Sequence, residues 1–199
     1  PQLLNPNGTL QPSGNRIPTV WRQLWWCLPF HRKHDPAAGL SRYLDTCRDY
    51  NCLVEVDEVS GAALMVRREV WESIGLLDEN YFFYFEDVDF CIRAKRAGWR
   101  VLYLPSAKIV HHWGMSVREA GVVIQVKSLP GHFHYMRKVH GRLPELAFRI
   151  VVIAKSVLKL LLLLPRYITT LEDRGRKIKL NLEIVRISIG LFRSQQPPG

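Results

Sequence analysis

Tyr81-Phe82-Phe83-Tyr84-Phe85-Glu86-Asp87-Val88-Asp89-Phe90 is the stretch that decides how this chain is read. Five aromatic residues run without a break, and three carboxylates follow within four positions. Acids directly behind large apolar side chains are drawn out of water, where a carboxylate becomes a tuned base, a metal ligand or an acceptor for a substrate hydroxyl. The plainer reading is that the acids cap a helix, and both readings can hold at once. Glu86–Ala97 does read as a helix: acids open it, Arg93, Lys95 and Arg96 close it, and both ends suit the helix dipole. Gly98 is placed to end it.

Working outward, Ser60-Gly61-Ala62-Ala63 is a step of small residues where another backbone or a ligand can come close. Before it, Leu53–Val59 alternates as a strand. After it, Arg68–Ile74 reads as a short helix that Gly75 ends. Leu77, Asp78 and Glu79 form the loop into the aromatic run. Trp99–Leu104 and Ala107–His112 read as strands separated by Pro105. Residues 1–16 are turn-rich, with NPNG and PSGN as breakers. Pro18 opens a short helix with Trp21, Leu24, Trp25 and Leu28 on one face. Residues 29–50 read as an irregular basic excursion.

The chain has 199 residues, is 47% hydrophobic and carries a formal net charge of +10. That charge favours anionic partners: phosphates, nucleic acid or an anionic membrane. Its four cysteines show no CxxC pairing and read as reduced thiols, with no zinc site. No P-loop, GxGxxG, GxSxG or HExxH occurs. His31/His34 and His132/His134 have metal-compatible spacings, but no acid or cysteine completes either set. A first residue of Pro1, with no initiator Met, makes this read as the C-terminal part of a longer protein.

Beyond about residue 115 the character changes. Leu146–Leu164 nearly has the length of a membrane span, but Arg149, Lys155 and Lys159 interrupt it. On a helical wheel Glu145, Arg149, Lys155, Ser156 and Lys159 share one side. This predicts an amphipathic helix for a membrane interface or for packing on the domain itself. A basic segment follows, with Leu180, Ile184, Ile187 and Leu191 spaced along one face. Basic flanks beside an apolar helix point to anionic lipid headgroups. The final SQQPPG reads as disordered. A nucleic-acid-binding module is the competing reading of the charge, but no recognised motif accompanies it.

Taken in order, Val56–Ser116 resembles the C-terminal half of the catalytic domain of family 2 glycosyltransferases, above all rhamnosyltransferase-type members that build bacterial surface polysaccharide. The resemblance is carried by the SGA step, RR-x-x-W-x-x-x-G, L-D-E, F-x-Y-x-E-D-x-D, A-G-W-R, P-x-A and H-x-x-G-x-S. Residues 1–20, with N-P-x-G-x-L-Q and R-x-P-T, resemble the linker just after that family's acidic metal motif. No DxD precedes Tyr81.

The resemblance implies an α/β fold: the acceptor-binding half of a GT-A (Rossmann-like) domain, followed by an amphipathic helical tail. The organisation expected is a linker and excursion over 1–52, the half-domain over 53–120 and a basic, membrane-associating helical tail over 121–199. The implied activity is inverting transfer of a sugar, with rhamnose as the analogue, from a nucleotide-diphosphate donor to a saccharide or lipid-linked acceptor. Asp87 is the implied general base and Glu86 its partner on the acceptor. Asp89 falls to structure, pairing with an arginine. Gly61 and Ala62 would floor the site, Asp78 and Glu79 shape the acceptor pocket, and Tyr84 offer a ring face to a sugar. Trp113 and Ser116 would cover the diphosphate. His111 would complete a divalent metal site (Mg²⁺ or Mn²⁺), although His112 beside it competes for that place. The expected location is cytoplasmic, at the inner membrane, with no nucleic acid partner. A truncated remnant without catalysis, retaining only membrane association, is the alternative.

Overall fold

The computed structural model describes residues 1–11, 13–27, 51–112, 122–163 and 171–190. The chain divides into two compact units: residues 1–19 with 32–120, and residues 20–31 with 121–199. The expectations for the excursion at 29–50, for Trp113, Gly114 and Ser116, and for the SQQPPG end lie outside the described residues.

In the first unit, residues 1–16 are not a turn-rich linker. They contribute three short strands, β1 (Gln2–Leu4), β2 (Leu10–Gln11) and β3 (Gly14–Asn15). The breaker NPNG is the corner between β1 and β2, whereas the Gly14 and Asn15 of PSGN are β3 itself. Leu53–Val59 likewise splits in two, β4 (Val54–Glu55) and β5 (Glu58–Val59), and each half joins a different sheet. The helices follow the sequence closely: α2 is Arg68–Ile74 and α3 is Glu86–Arg96. Gly75 takes φ 77° and donates its N–H to the Trp71 carbonyl at 2.9 Å, which is why a glycine stands there. The later strands are shorter than the pattern suggested, β6 (Leu102–Tyr103) and β7 (Lys108–Val110).

Three small sheets result. β1 lies between β2, antiparallel, and β7, parallel. β3 pairs antiparallel with β5, and β4 with β6. Helix α3 is the pivot of the core. One side packs Cys91 with Val56, Val59, Val101 and Tyr103. The other packs Phe90 and Ala94 with Val70 of α2, and Trp71 lies 4.3 Å from the Phe90 ring. Each fully buried side chain of this size contributes about 1.5–3 kcal/mol. Burial pushes the Cys91 thiol up to about 11, so it is an inert core residue.

Asp89 is 1% exposed and pairs with Arg93 at 2.8 Å. The Arg93 guanidinium also donates to the carbonyls of Ile74 (2.6 Å) and Leu76 (2.8 Å). One side chain therefore ties α3 to the C-terminal end of α2. Lys95 reaches back to Asp57 at 2.6 Å, and Arg100 pairs with Glu55 at 2.9 Å.

The second unit is helical: α1 (Val20–Cys27), α4 (Val122–Tyr135) running into a π-type segment (Met136–His140), α5 (Arg142–Leu163) and α6 (Leu171–Ser188). α5 packs along α6 and also meets α1 and the π segment. Only part of its polar side meets solvent, at Lys159. Glu145 and Ser156 are buried, and Arg149 is half-buried. No helix among the described residues is long and apolar enough to cross a membrane.

Candidate functional site

The aromatic run reaches α3 through two consecutive residues in the left-handed region, Tyr84 (φ 67°) and Phe85 (φ 74°). Neither is a glycine, and each such residue costs on the order of 1–3 kcal/mol. The turn is held because Tyr81 and Phe85 are buried. Phe82 and Tyr84 are turned outward, 62% and 45% exposed. Phe83 meets Tyr84 edge to face at 4.3 Å. Core packing thus takes only part of the wall.

The strained turn places Glu86 and Asp87 in the first turn of α3. Asp87 is not the N-cap, which is Phe85 and makes no side-chain cap bond. Its Oδ2 instead accepts the N–H of Gly61 at 2.7 Å, across 26 residues of sequence, and its Oδ1 accepts the N–H of Val88 at 2.8 Å. Gly61 heads a 3₁₀ turn (Gly61–Ala63) that Ser60 opens by accepting the Ala62 N–H. A Cβ on Gly61 would lie 3.2 Å from the Asp87 Cβ and 3.3 Å from Oδ2. A glycine here allows the backbone to grip the carboxylate. Gly61 and Ala62 are both exposed, so the Asp87 carboxylate stands at a surface step.

Glu86 lies beside it with a buried Oε2 that has no hydrogen-bond partner. Burial pushes the Glu86 carboxyl above the usual carboxylate range; its own backbone N–H works against that, and the neighbouring Asp87 adds to it. Burial, with Glu86 second, also raises the Tyr84 phenol. The sign follows from linkage. A carboxyl raised on folding has its full stability below the ordinary carboxyl value and loses it as pH climbs through the raised one. Glu86→Gln is therefore expected to be more stable than the parent at neutral pH, with the gap closing at about pH 4. Urea melts at the two pH values measure this, and a gap independent of pH would remove Glu86 as its source.

Asp78 builds a local turn, accepting from the Asn80 backbone N–H (3.0 Å) and side chain (2.7 Å), while Glu79 is exposed. Both belong to the loop that launches the aromatic run.

His111 is held elsewhere. It follows β7, its N–H donates to the Leu4 carbonyl at 2.9 Å, and its Nδ1 lies 2.6 Å from Gln11 Oε1. The amide oxygen can only accept, so Nδ1 is the donor of this pair. Gln11 is oriented in turn by Asn5, Asn5 by Thr9 and Thr9 by Asn7, at 3.0, 2.9 and 2.6 Å. His112 is exposed. Among the described residues no hydrogen bond or ion pair links His111 to Asp87. One segment serves both: β2 supports the His111 side, Ser13 accepts the Ser60 N–H at 2.9 Å, and β3 carries β5 into the Gly61 turn.

Asn5, Asn7 and Gln11 were not singled out from the sequence. The N-P-x-G-x-L-Q signal was visible, but it read as a linker and not as the end of a strand. These neutral amides do not fit a divalent cation by themselves, because their carbonyl oxygens bring none of the negative charge that carboxylate ligands supply. Among the described residues no group of three or more His, Cys, Asp or Glu could hold one.

Comparison with known proteins agrees with this arrangement of motifs. The family model described as glycosyltransferase like family 2 matches residues 42–153, more than half of the chain. The chain is 32% identical over 117 residues to the N-acetylglucosaminyl-diphospho-decaprenol L-rhamnosyltransferase of Mycobacterium tuberculosis, covering 56% of this chain and 36% of that protein. It is 34% identical over 74 residues to the dTDP-rhamnosyl transferase RfbF of Shigella flexneri, covering 37% and 25%. With the rhamnosyltransferase WbbL of Escherichia coli K12 the identity is 35% over 57 residues, covering 29% and 22%. The chain thus spans about a third or less of these relatives' length. No solved structure shows significant similarity to it. With more than half of its length matched, including the SGA step, the aromatic run and α3, the chain belongs to glycosyltransferase family 2.

Proposed function

We propose that the α/β unit is the acceptor-binding half of a GT-A catalytic domain, and that Asp87 is its general base. The observation that carries this is the grip of the Gly61 N–H on Asp87 Oδ2 beside the unpartnered Glu86 oxygen. Two backbone donors fix the Asp87 carboxylate, yet each oxygen keeps a free lone-pair position. Glu86 Oε2 is an unsatisfied acceptor beneath the surface, and the half-buried Glu86 side chain has to turn outward to take an acceptor-sugar hydroxyl. Tyr84, 45% exposed, presents a ring face for the sugar.

In the reaction, the acceptor hydroxyl oxygen attacks the anomeric carbon of the donor as its proton passes to Asp87. The bond from that carbon to the diphosphate breaks, and its electron pair leaves with the nucleoside diphosphate. Fixing the base and hydroxyl within hydrogen-bond reach turns the encounter into an oriented, near-unimolecular step. His111 belongs on the diphosphate side by its place in the family motif. Trp113 and Ser116 are assigned there by their place in the family motif alone. A divalent metal in that region would draw its anionic ligands from outside the described residues, and no step is assigned to it.

The names of the relatives support rhamnose as the sugar, a nucleotide-diphosphate donor such as dTDP-rhamnose, and a diphospho-lipid-linked acceptor. The test is label transfer from dTDP-rhamnose to an N-acetylglucosaminyl-diphospho-lipid by the complete polypeptide that the gene encodes. Lipid-phase label is expected. No transfer from any nucleotide-diphosphate sugar to any glycan acceptor would end the reading.

A further inference from the structure

In the helical unit, α5 turns the Glu145–Arg149 ion pair inward, while Lys155 is half-buried and Lys159 exposed. Arg149 donates to Glu145 at 2.7 Å and to the Ser188 carbonyl at 3.0 Å, and its guanidinium lies 4.0 Å from the Phe133 ring centre. Glu145 and Ser156 are 8% and 3% exposed. The opposite side of the helix meets solvent with hydrocarbon: Leu146, Ile150, Leu158 and Leu161 are 54%, 57%, 51% and 58% exposed. A helix in water does the reverse. Ion pairs inside and aliphatic side chains outside is the arrangement that suits a hydrocarbon surrounding. On α1, Trp21 and Trp25 stand one turn apart, 81% and 56% exposed, and tryptophan favours the headgroup layer.

Charge identifies what covers this face. The helical unit carries fifteen Lys and Arg against four Asp and Glu, a formal +11. The α/β unit carries thirteen against fourteen, so the whole positive excess of the chain belongs to the second unit's sequence. Arg176, Lys177, Lys179 and Arg186 of α6 are exposed. Two copies of such a unit repel each other, whereas a surface of anionic lipid attracts it at about 1 kcal/mol per basic side chain.

We infer that the helical unit docks on an anionic lipid bilayer, with the Leu146–Ile150–Leu158–Leu161 stripe inserted at the headgroup boundary and α6 cations on the lipid phosphates. α5 lies along the surface and need not cross it. This goes beyond the sugar-transfer reading and stands without it. The sequence pattern predicted an amphipathic helix. The structure adds which side faces out, and it is the apolar one.

The experiment is flotation of the 199-residue chain with vesicles of phosphatidylcholine alone or mixed with phosphatidylglycerol, alongside a double-stranded DNA retention assay at the same salt. Binding to the mixed vesicles is expected, with weak binding to the neutral ones. The variant Ile150→Ser/Leu158→Ser/Leu161→Ser alters exposed positions and is expected to bind the mixed vesicles at least about tenfold more weakly. Arg176→Glu/Lys177→Glu/Lys179→Glu is expected to lose a similar factor or more. Brominated phosphatidylglycerol is expected to quench the tryptophan emission of the unmodified chain, a readout independent of any variant's folding. The proposal is overturned if mixed vesicles do not bind, if the serine variant binds them as well as the parent does, or if brominated lipid fails to quench. It is equally overturned if the serine substitutions split a dimer while vesicle binding stays unchanged, or if only DNA binds.

Discussion

Asp87→Asn, made in the complete enzyme, is expected to lower turnover by about 10²–10⁴-fold with little change in the donor KM. The amide keeps the size of the carboxylate but cannot take the hydroxyl proton. It also presents an NH₂ group where Gly61 and Val88 now offer two N–H donors, so one of those bonds is lost. A melting curve must therefore accompany the assay, to separate loss of the base from loss of the turn. Gly61→Ala is the companion variant. Its methyl would crowd Asp87 at 3.2–3.3 Å and displace the carboxylate without removing it. Turnover should fall by roughly tenfold, since small misplacements of a base are expensive. If Asp87→Asn keeps turnover within tenfold of the parent, the base is another group.

Arg93→Ala should be the most damaging change to stability, about 3–5 kcal/mol in urea unfolding. It strips the arginine from a carboxylate that is 1% exposed, and charged groups left so buried are penalised by that order. It also removes the donor from the Ile74 and Leu76 carbonyls and the cation 5.3 Å from the Phe90 ring. Asp89→Asn in the same background should recover part of the loss, because the uncompensated charge goes with it; the double-mutant cycle measures the coupling. A loss below about 1 kcal/mol for Arg93→Ala would mean that water reaches Asp89 and the pair is an ordinary surface bridge.

The helices of the α/β unit were readable because each carries its own punctuation. Gly75 stops α2, acids open α3, and bases close it. The short strands were less so. Val54–Glu55 and Glu58–Val59 alternate as one strand, and only the tertiary partners, β6 for one and β3 for the other, reveal two. Within the candidate site, the motif around Glu86 and Asp87 was plain, and so was the small step at Gly61. The bond between them was not, since 26 residues separate them and no local pattern encodes it. Nothing in YFFYF announces two left-handed residues either, because aromatic side chains rarely adopt that geometry. The periodicity of α5 predicts two sides but not which one faces inward. Amphipathic spacing is symmetric in that respect, and the Arg149 contacts to Glu145 and Ser188 break the tie.

Residues 10–15 leave one sheet and enter another, and this has a practical consequence for anyone trimming the protein. An expression boundary placed at Arg16 would remove β1, the neighbour of β7, and in the same cut β3, the neighbour of β5. Two open backbone edges would appear together, inviting intermolecular strand addition. Precipitation of such a shortened product would therefore report lost edge protection and would not count against the chemistry assigned to Asp87.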